Sequence, residues 1–268
     1  KFTQKDKSGA LSDLETAHKL KPHMKNIWDL LIGLNIELKQ FESAISFLGP
    51  MIKSNPSNEK YFANLGICYQ YLGNLESAIE NYQGALEIKP DYAEAYNNMG
   101  AALSDTGDQK AAIDSYQQAL KIKPDYAEAY NNMGIALQDK GDLEAAIASY
   151  KQALKVKPDY AEAYNNMGNA LNDKGKIEAA IDSYKQALKI KPDYADAYNN
   201  MGISLQDKGD LEAAIDSYKQ ALKIKPDSAE AYMNMGAALS GVTFTKANSD
   251  LMEIMVSLLG QRTSCRPR

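Results

Sequence analysis

Pro22, Pro56, Pro90, Pro124, Pro158, Pro192 and Pro226 are each separated from the next by 34 residues. Between these marks the text nearly repeats itself. Ala127 to Pro158 reads AEAYNNMGIALQDKGDLEAAIASYKQALKVKP, and Ala161 to Pro192 reads AEAYNNMGNALNDKGKIEAAIDSYKQALKIKP. A fixed period of this length marks a repeat architecture and excludes an ordinary globular fold.

Within each period the apolar spacing is helical. Tyr130, Met133, Gly134 and Leu137 follow the i, i+3, i+4, i+7 pattern of one helix face, and a second stripe follows at Ala146, Ile147, Tyr150, Ala153 and Leu154. Between the stripes lies Asp139-Lys140-Gly141-Asp142. Gly141 suits a left-handed C-cap, and Asp142 can cap the helix that follows. Each second helix runs into Lys-Pro, which bars its continuation. Asp125-Tyr126-Ala127-Glu128 then reads as an N-cap with an acid three residues on. One period is therefore helix, tight turn, helix, stop.

These residues resemble the tetratricopeptide repeat (TPR). Its signature positions are filled by Tyr96, Met99, Gly100, Leu103, Ala112, Tyr116, Ala119 and Pro124, and again from Tyr130 to Pro158, Tyr164 to Pro192 and Tyr198 to Pro226. The preceding repeat has Phe62, Leu65, Gly66, Tyr69, Ala78, Tyr82, Ala85 and Pro90. The first full repeat keeps Trp28, Leu31, Ala44 and Pro56, but its Gly33 stands one place late, and Leu48 and Met51 fill the aromatic and alanine positions. The resemblance spans residues 8–240. It divides the chain into a half repeat at 8–24, full repeats at 25–58, 59–92, 93–126, 127–160, 161–194 and 195–228, and a half repeat at 229–240. It implies an all-α fold, a right-handed superhelical solenoid of helix-turn-helix repeats whose stacking builds one continuous core.

Family resemblance also implies that the first helices line a concave face. An Asn-Asn pair recurs there: Asn97 and Asn98, Asn131 and Asn132, Asn165 and Asn166, Asn199 and Asn200. Asparagine costs about 0.5 kcal/mol in a helix relative to alanine, yet its amide both donates and accepts hydrogen bonds. A row of amides one repeat apart can grip the main chain of an extended peptide. The second Asn of each pair is similar to the inner-surface asparagine row of the TPR superhelix in O-linked N-acetylglucosamine transferase. Here that row comprises Asn64, Asn98, Asn132, Asn166, Asn200 and Asn234. Asn64 lies in a divergent repeat, and Asn234 persists where its partner has become Met233, so these two do not merely copy their neighbours. Asp139 and Asp173, with Asp105 and Asp207, close the first helices and would give the groove a negative potential favouring neutral or basic segments. The two-lysine clamp with which some TPR domains hold a C-terminal carboxylate is absent, its positions being occupied by Asn, Ala, Ile, Gln and Asp. Capping accounts for Asp125 and Glu128, and solvation accounts for the lysine stripe at Lys151, Lys155, Lys185, Lys189, Lys219 and Lys223. Tyr92, Tyr126, Tyr160 and Tyr194 are expected half-packed between hairpins.

Chemistry is poorly provided for. His18 and His23 stand off helical ligand spacing, Cys68 lies in an apolar helix, and no nucleophile elbow, HExxH, phosphate-binding loop or dinucleotide fingerprint occurs. No enzyme activity, metal or cofactor is expected. The net charge of -5 argues against nucleic acid, and no apolar run approaches the ~18 residues of a membrane span. Cys68 and Cys265 form no disulfide pattern, which favours a reducing, cytoplasmic setting. The expected function is a protein-interaction scaffold that holds an extended peptide. The alternative is the substrate-recruiting part of a larger transferase-type enzyme with its catalytic domain beyond Arg268.

Residues 241–259 read as a linker and a capping helix, with an apolar stripe at Leu251, Met252, Ile254, Met255, Leu258 and Leu259. Residues 260–268 read as a flexible basic tail. An incompletely covered array end could also meet a second copy of the chain.

Overall fold

The computed structural model describes residues 4–20, 25–241 and 256–257. The capping segment and basic tail foreseen after residue 241 lie outside these residues, apart from 256–257, as does His23. The described chain is helical throughout and forms two compact units, residues 1–142 and 143–268.

The first unit holds α1 (Gln4–Leu20), α2 (Lys25–Glu37), α3 (Phe41–Ser54), α4 (Glu59–Tyr71), α5 (Leu75–Ile88), α6 (Ala93–Asp105), α7 (Gln109–Ile122) and α8 (Ala127–Asp139). The second holds α9 (Leu143–Val156), α10 (Ala161–Asp173), α11 (Ile177–Ile190), α12 (Ala195–Asp207), α13 (Leu211–Ile224) and α14 (Ala229–Gly241). Inside each unit α4 packs on α5, α6 on α7, α10 on α11 and α12 on α13 as hairpins. Each second helix also packs on the first helix of the next repeat, and the first helices α4, α6, α8 and α10, α12, α14 touch in succession.

The hairpin contact is built on glycine against tyrosine. A Cβ at Gly66, Gly100, Gly168 or Gly202 would sit 2.6, 2.7, 2.5 or 2.5 Å from the ring of Tyr82, Tyr116, Tyr184 or Tyr218. All four rings are buried, each burial worth about 2–3 kcal/mol. In the first full repeat the volumes are exchanged. Ile32 stands where later repeats have glycine, and Leu48 where they have tyrosine, and both are buried in one cluster.

Turn chemistry divides between expectation and surprise. Gly73, Gly107, Gly141, Gly175 and Gly209 all have positive φ, 73 to 88°, as foreseen for Gly141. Three second helices, α5, α7 and α13, are capped in the expected way: Asn74, Asp108 and Asp210 accept from the backbone N–H of Ser77, Ala111 and Ala213 at 3.2, 3.0 and 3.3 Å. Among the first helices α4 is capped by Asn58, which accepts from Lys60 N–H at 3.1 Å, but α6, α8, α10 and α12 are not. Their N-cap residues are Tyr92, Tyr126, Tyr160 and Tyr194, none making a side-chain cap bond, so Asp125 lies one residue too early to cap. These tyrosines are half-buried instead, each beneath a lysine ammonium: Lys89, Lys123, Lys157 and Lys191 lie 4.9, 4.4, 4.5 and 4.4 Å from the ring centres. Where serine replaces tyrosine the cap returns, Ser228 accepting from Ala231 N–H at 3.3 Å.

Candidate functional site

In α6 the buried positions are Ala93, Ala95, Asn97, Gly100 and Ala102, and α8 and α10 repeat the set. This register turns the two asparagines of each pair in different directions, about 100° apart around the helix. Asn97, Asn131, Asn165 and Asn199 are only 5–7% exposed. Asn64, Asn98, Asn132, Asn166, Asn200 and Asn234 are half-buried, one on each of α4, α6, α8, α10, α12 and α14 and always at the same register; α2 has Leu30 there. The residues foreseen as one ligand-facing group thus separate into a buried row and a partly open row.

Hydrogen bonds join the two rows. In the first unit Asn132 Nδ2 donates to Asn97 Oδ1 at 3.1 Å, and Asn97 Nδ2 reaches Asn98 Oδ1 at 3.4 Å. In the second unit Asn200 Nδ2 donates to Asn165 Oδ1, and Asn234 Nδ2 to Asn199 Oδ1, each at 3.1 Å. Asn199 Nδ2 in turn donates to Glu230 Oε1 at 3.0 Å. The buried asparagine therefore accepts from the ladder asparagine of the following repeat, a link that repeat spacing alone did not reveal. The signal was available: residues 35 apart are both amides wherever the link forms.

A second set of polar contacts closes the far ends of the first helices. Asp105, Asp139, Asp173 and Asp207 are exposed. Gln70 Nε2 donates to Asp105 Oδ2 at 3.1 Å, and Asn172 Nδ2 to Asp207 Oδ2 at 3.5 Å. The buried tyrosine hydroxyls join this layer, Tyr82 donating to Gln70, Tyr184 to Asn169 and Tyr218 to Gln206 at 3.0, 2.8 and 3.2 Å. Glu94 and Glu162 pair with Lys123 and Lys191 at 3.6 and 3.3 Å. These ion pairs are exposed and contribute little to stability. Lys151, Lys155, Lys185, Lys189 and Lys223 are exposed, and Lys219 lies along Asp216 at 3.2 Å.

Cys68 is a fully buried free thiol, its pKa pushed up to about 11 by burial. Among the described residues no group of three or more His, Cys, Asp or Glu could hold a metal ion. No helix among them is long and apolar enough to cross a membrane.

Antiparallel hairpins in tandem, with glycine seated on tyrosine and a polar row on the first helices, define a helical-repeat protein. Family models agree on which kind. One described as TPR repeat matches residues 136–172, 168–209 and 204–241, and two described as tetratricopeptide repeat match 59–125 and 115–148. The chain belongs to the tetratricopeptide-repeat family. Comparison with curated proteins gives no match. Among solved structures the chain is similar to MamA, with 28% identity and a TM-score of 0.56 over 62% of this chain and 97% of MamA. It is also similar to PilW, a widely conserved type IV pilus biogenesis factor, with 25% identity and a TM-score of 0.72 over 79% of this chain and 98% of PilW. YrrB, a TPR protein with an unusual peptide-binding site, shares the fold at 23% identity and a TM-score of 0.55, over 69% of this chain and 96% of YrrB. The fold and its relatives fit a protein-interaction scaffold.

Proposed function

We propose that the chain is a scaffold that holds an extended peptide segment of another protein along the asparagine row of its first helices, and that it carries out no chemistry of its own. One observation carries the reading: Asn64, Asn98 and Asn132 in the first unit, and Asn166, Asn200 and Asn234 in the second, share one helical register and remain partly open. A mediocre helix former kept at one half-open position of successive helices favours hydrogen bonding over helix stability as its purpose. The exposed aspartates Asp105, Asp139, Asp173 and Asp207 support a preference for neutral or basic segments. The fully buried free thiol of Cys68 suits a reducing, cytoplasmic setting.

The test compares the native chain with a variant carrying Asn132→Ala and Asn200→Ala, one ladder position in each unit. Both are used to capture peptides from a random 12-residue display library. The reading expects helical content to be retained and capture to fall at least about tenfold, which is the loss of one net hydrogen bond or slightly more. Unchanged capture would exclude the row as a binding surface. Light scattering at several concentrations would separate peptide capture from self-association through the array ends.

A further inference from the structure

The buried asparagines do more than fill space. We propose that Asn97, Asn165 and Asn199 are positioning residues that hold the ladder amides of Asn132, Asn200 and Asn234 in one orientation, NH2 inward and carbonyl outward, so that these ladder sites accept hydrogen bonds from a bound peptide and do not donate to it. The inference rests on the peptide-holding reading above and specifies the chemistry of its contacts.

A side-chain amide can turn over and exchange its donor end for its acceptor end. A freely turning amide is indifferent to what it meets. At Asn132, Asn200 and Asn234 that freedom is removed. In each case Nδ2 lies 3.1 Å from the carbonyl oxygen of an asparagine that is 5–7% exposed. Turning the ladder amide over would set two carbonyl oxygens against each other at a site closed to water, leaving a buried acceptor unsatisfied at a cost of about 1–3 kcal/mol. The carbonyl oxygen is then the polar atom offered to the open side. Carbonyl oxygen has two lone pairs, and the contact from Asn131 Nδ2 to Asn132 Oδ1, at 3.5 Å, engages one of them weakly. The ligand such a row suits is a main chain with its N–H groups free or a side-chain cation. A proline-rich segment, lacking N–H groups, suits it poorly.

The chain contains its own control. The residue 35 positions before Asn98 is Ala63, which has no side-chain amide. Asn98 is half-buried like the others but has no clasp of this kind. The position is also permissive: the corresponding residue of the first full repeat is Asp29, whose Oδ1 accepts from Tyr61 at 2.9 Å.

Two measurements on the intact chain test the inference. The first is hydrogen exchange of the side-chain amides by NMR, which needs no ligand. The NH2 protons of Asn132 should exchange at least about tenfold more slowly than those of Asn98. Asn97→Leu should abolish the difference, and Asn97→Asp, which keeps an acceptor, should retain it. Equal exchange at Asn98 and Asn132, or protection that survives Asn97→Leu in a folded protein, would overturn the clasp. The second takes the tightest peptide selected from the 12-residue display library and replaces its amides by esters one at a time, removing single N–H donors. Several esters should weaken binding about tenfold or more to the native chain, and fewer should do so with Asn97→Leu. A purely structural role for Asn97 would lower affinity without changing this ester pattern. Affinity insensitive to every ester would overturn the acceptor assignment. Failure of the native chain to select any peptide would overturn the peptide-holding reading and the donor preference with it, while the exchange contrast would still decide the clasp.

Discussion

At the scale of single residues, the hairpin contact is a matter of volume. Gly100 has no room for a methyl group because the Tyr116 ring would lie 2.7 Å from it. Gly100→Ala should therefore destabilise the first unit by about 1–3 kcal/mol, read as a lower urea midpoint. In combination with Tyr116→Leu the penalty should shrink, because the first full repeat already folds with the larger residue on the first helix, Ile32, opposite the smaller Leu48. A double-mutant cycle showing strict additivity would contradict this. The glycine and tyrosine positions were legible from the repeat. Their compensation in the first repeat was not, because Gly33 draws the eye to a glycine one place late, with no neighbour within 4 Å of its virtual Cβ. Lys39 makes a second case. It holds φ 59° where every later repeat has a left-handed glycine. Lys39→Gly should stabilise the first hairpin by roughly 1 kcal/mol, measured as slower amide exchange in α2 and α3. Faster exchange would show that the lysine side chain itself holds the turn.

At the scale of the element, caps explain which helix ends could be foreseen. A short polar side chain directly before a helix reaches an unpaired N–H, and Asn74, Asp108 and Asp210 do so. The sequence Asp-Tyr-Ala-Glu suggests the same device for the first helices, but the turn places tyrosine at the cap and the aspartate outside it. Ring burial and a lysine ammonium took precedence over capping there, and these depend on the preceding repeat's packing, which no local pattern displays. One second helix of the second unit yields a prediction. The N-cap of α11 is Lys176, which makes no side-chain cap bond, although the same position in the neighbouring repeats holds Asp142 and Asp210. Lys176→Asp should stabilise the second unit by about 1 kcal/mol, and Asp210→Ala should cost about as much. A thermal melt resolves both, and a neutral or destabilising Lys176→Asp would mean that the cation's local electrostatics outweigh a cap.

At the scale of the whole molecule, repetition multiplies one small physical fact into a property of the chain. Proline spacing made the repeat architecture readable, and apolar spacing within each period made its elements helical, because each repeat needs only its neighbours to bury its face. The relation between the two asparagine rows was hidden, since it depends on which side of each first helix the next repeat covers. The same multiplication governs the response to alkali. Burial raises the pKa of Tyr126 and Tyr218 to about 12, that of Cys68 to about 11, and those of Tyr82, Tyr116 and Tyr184 further still. The unfolded chain ionises these groups near their ordinary values, 9.0 for the thiol and 10.0 for the phenols. A folded pKa above the unfolded one means that the folded state retains the proton longer, so the stabilisation is complete below the unfolded pKa and is lost as pH rises through the folded one. Stability should therefore be insensitive to these groups up to about pH 9 and fall progressively from there to beyond pH 12. Because the same buried tyrosine recurs in successive repeats, the losses accumulate. Their phenolate absorbance should appear together with the loss of helical circular dichroism, not ahead of it. Near-complete tyrosine ionisation at about pH 11, as for exposed phenols, with the helical signal intact would show that water reaches these rings in the folded state, and that the glycine-on-tyrosine contact is looser than its spacing implies.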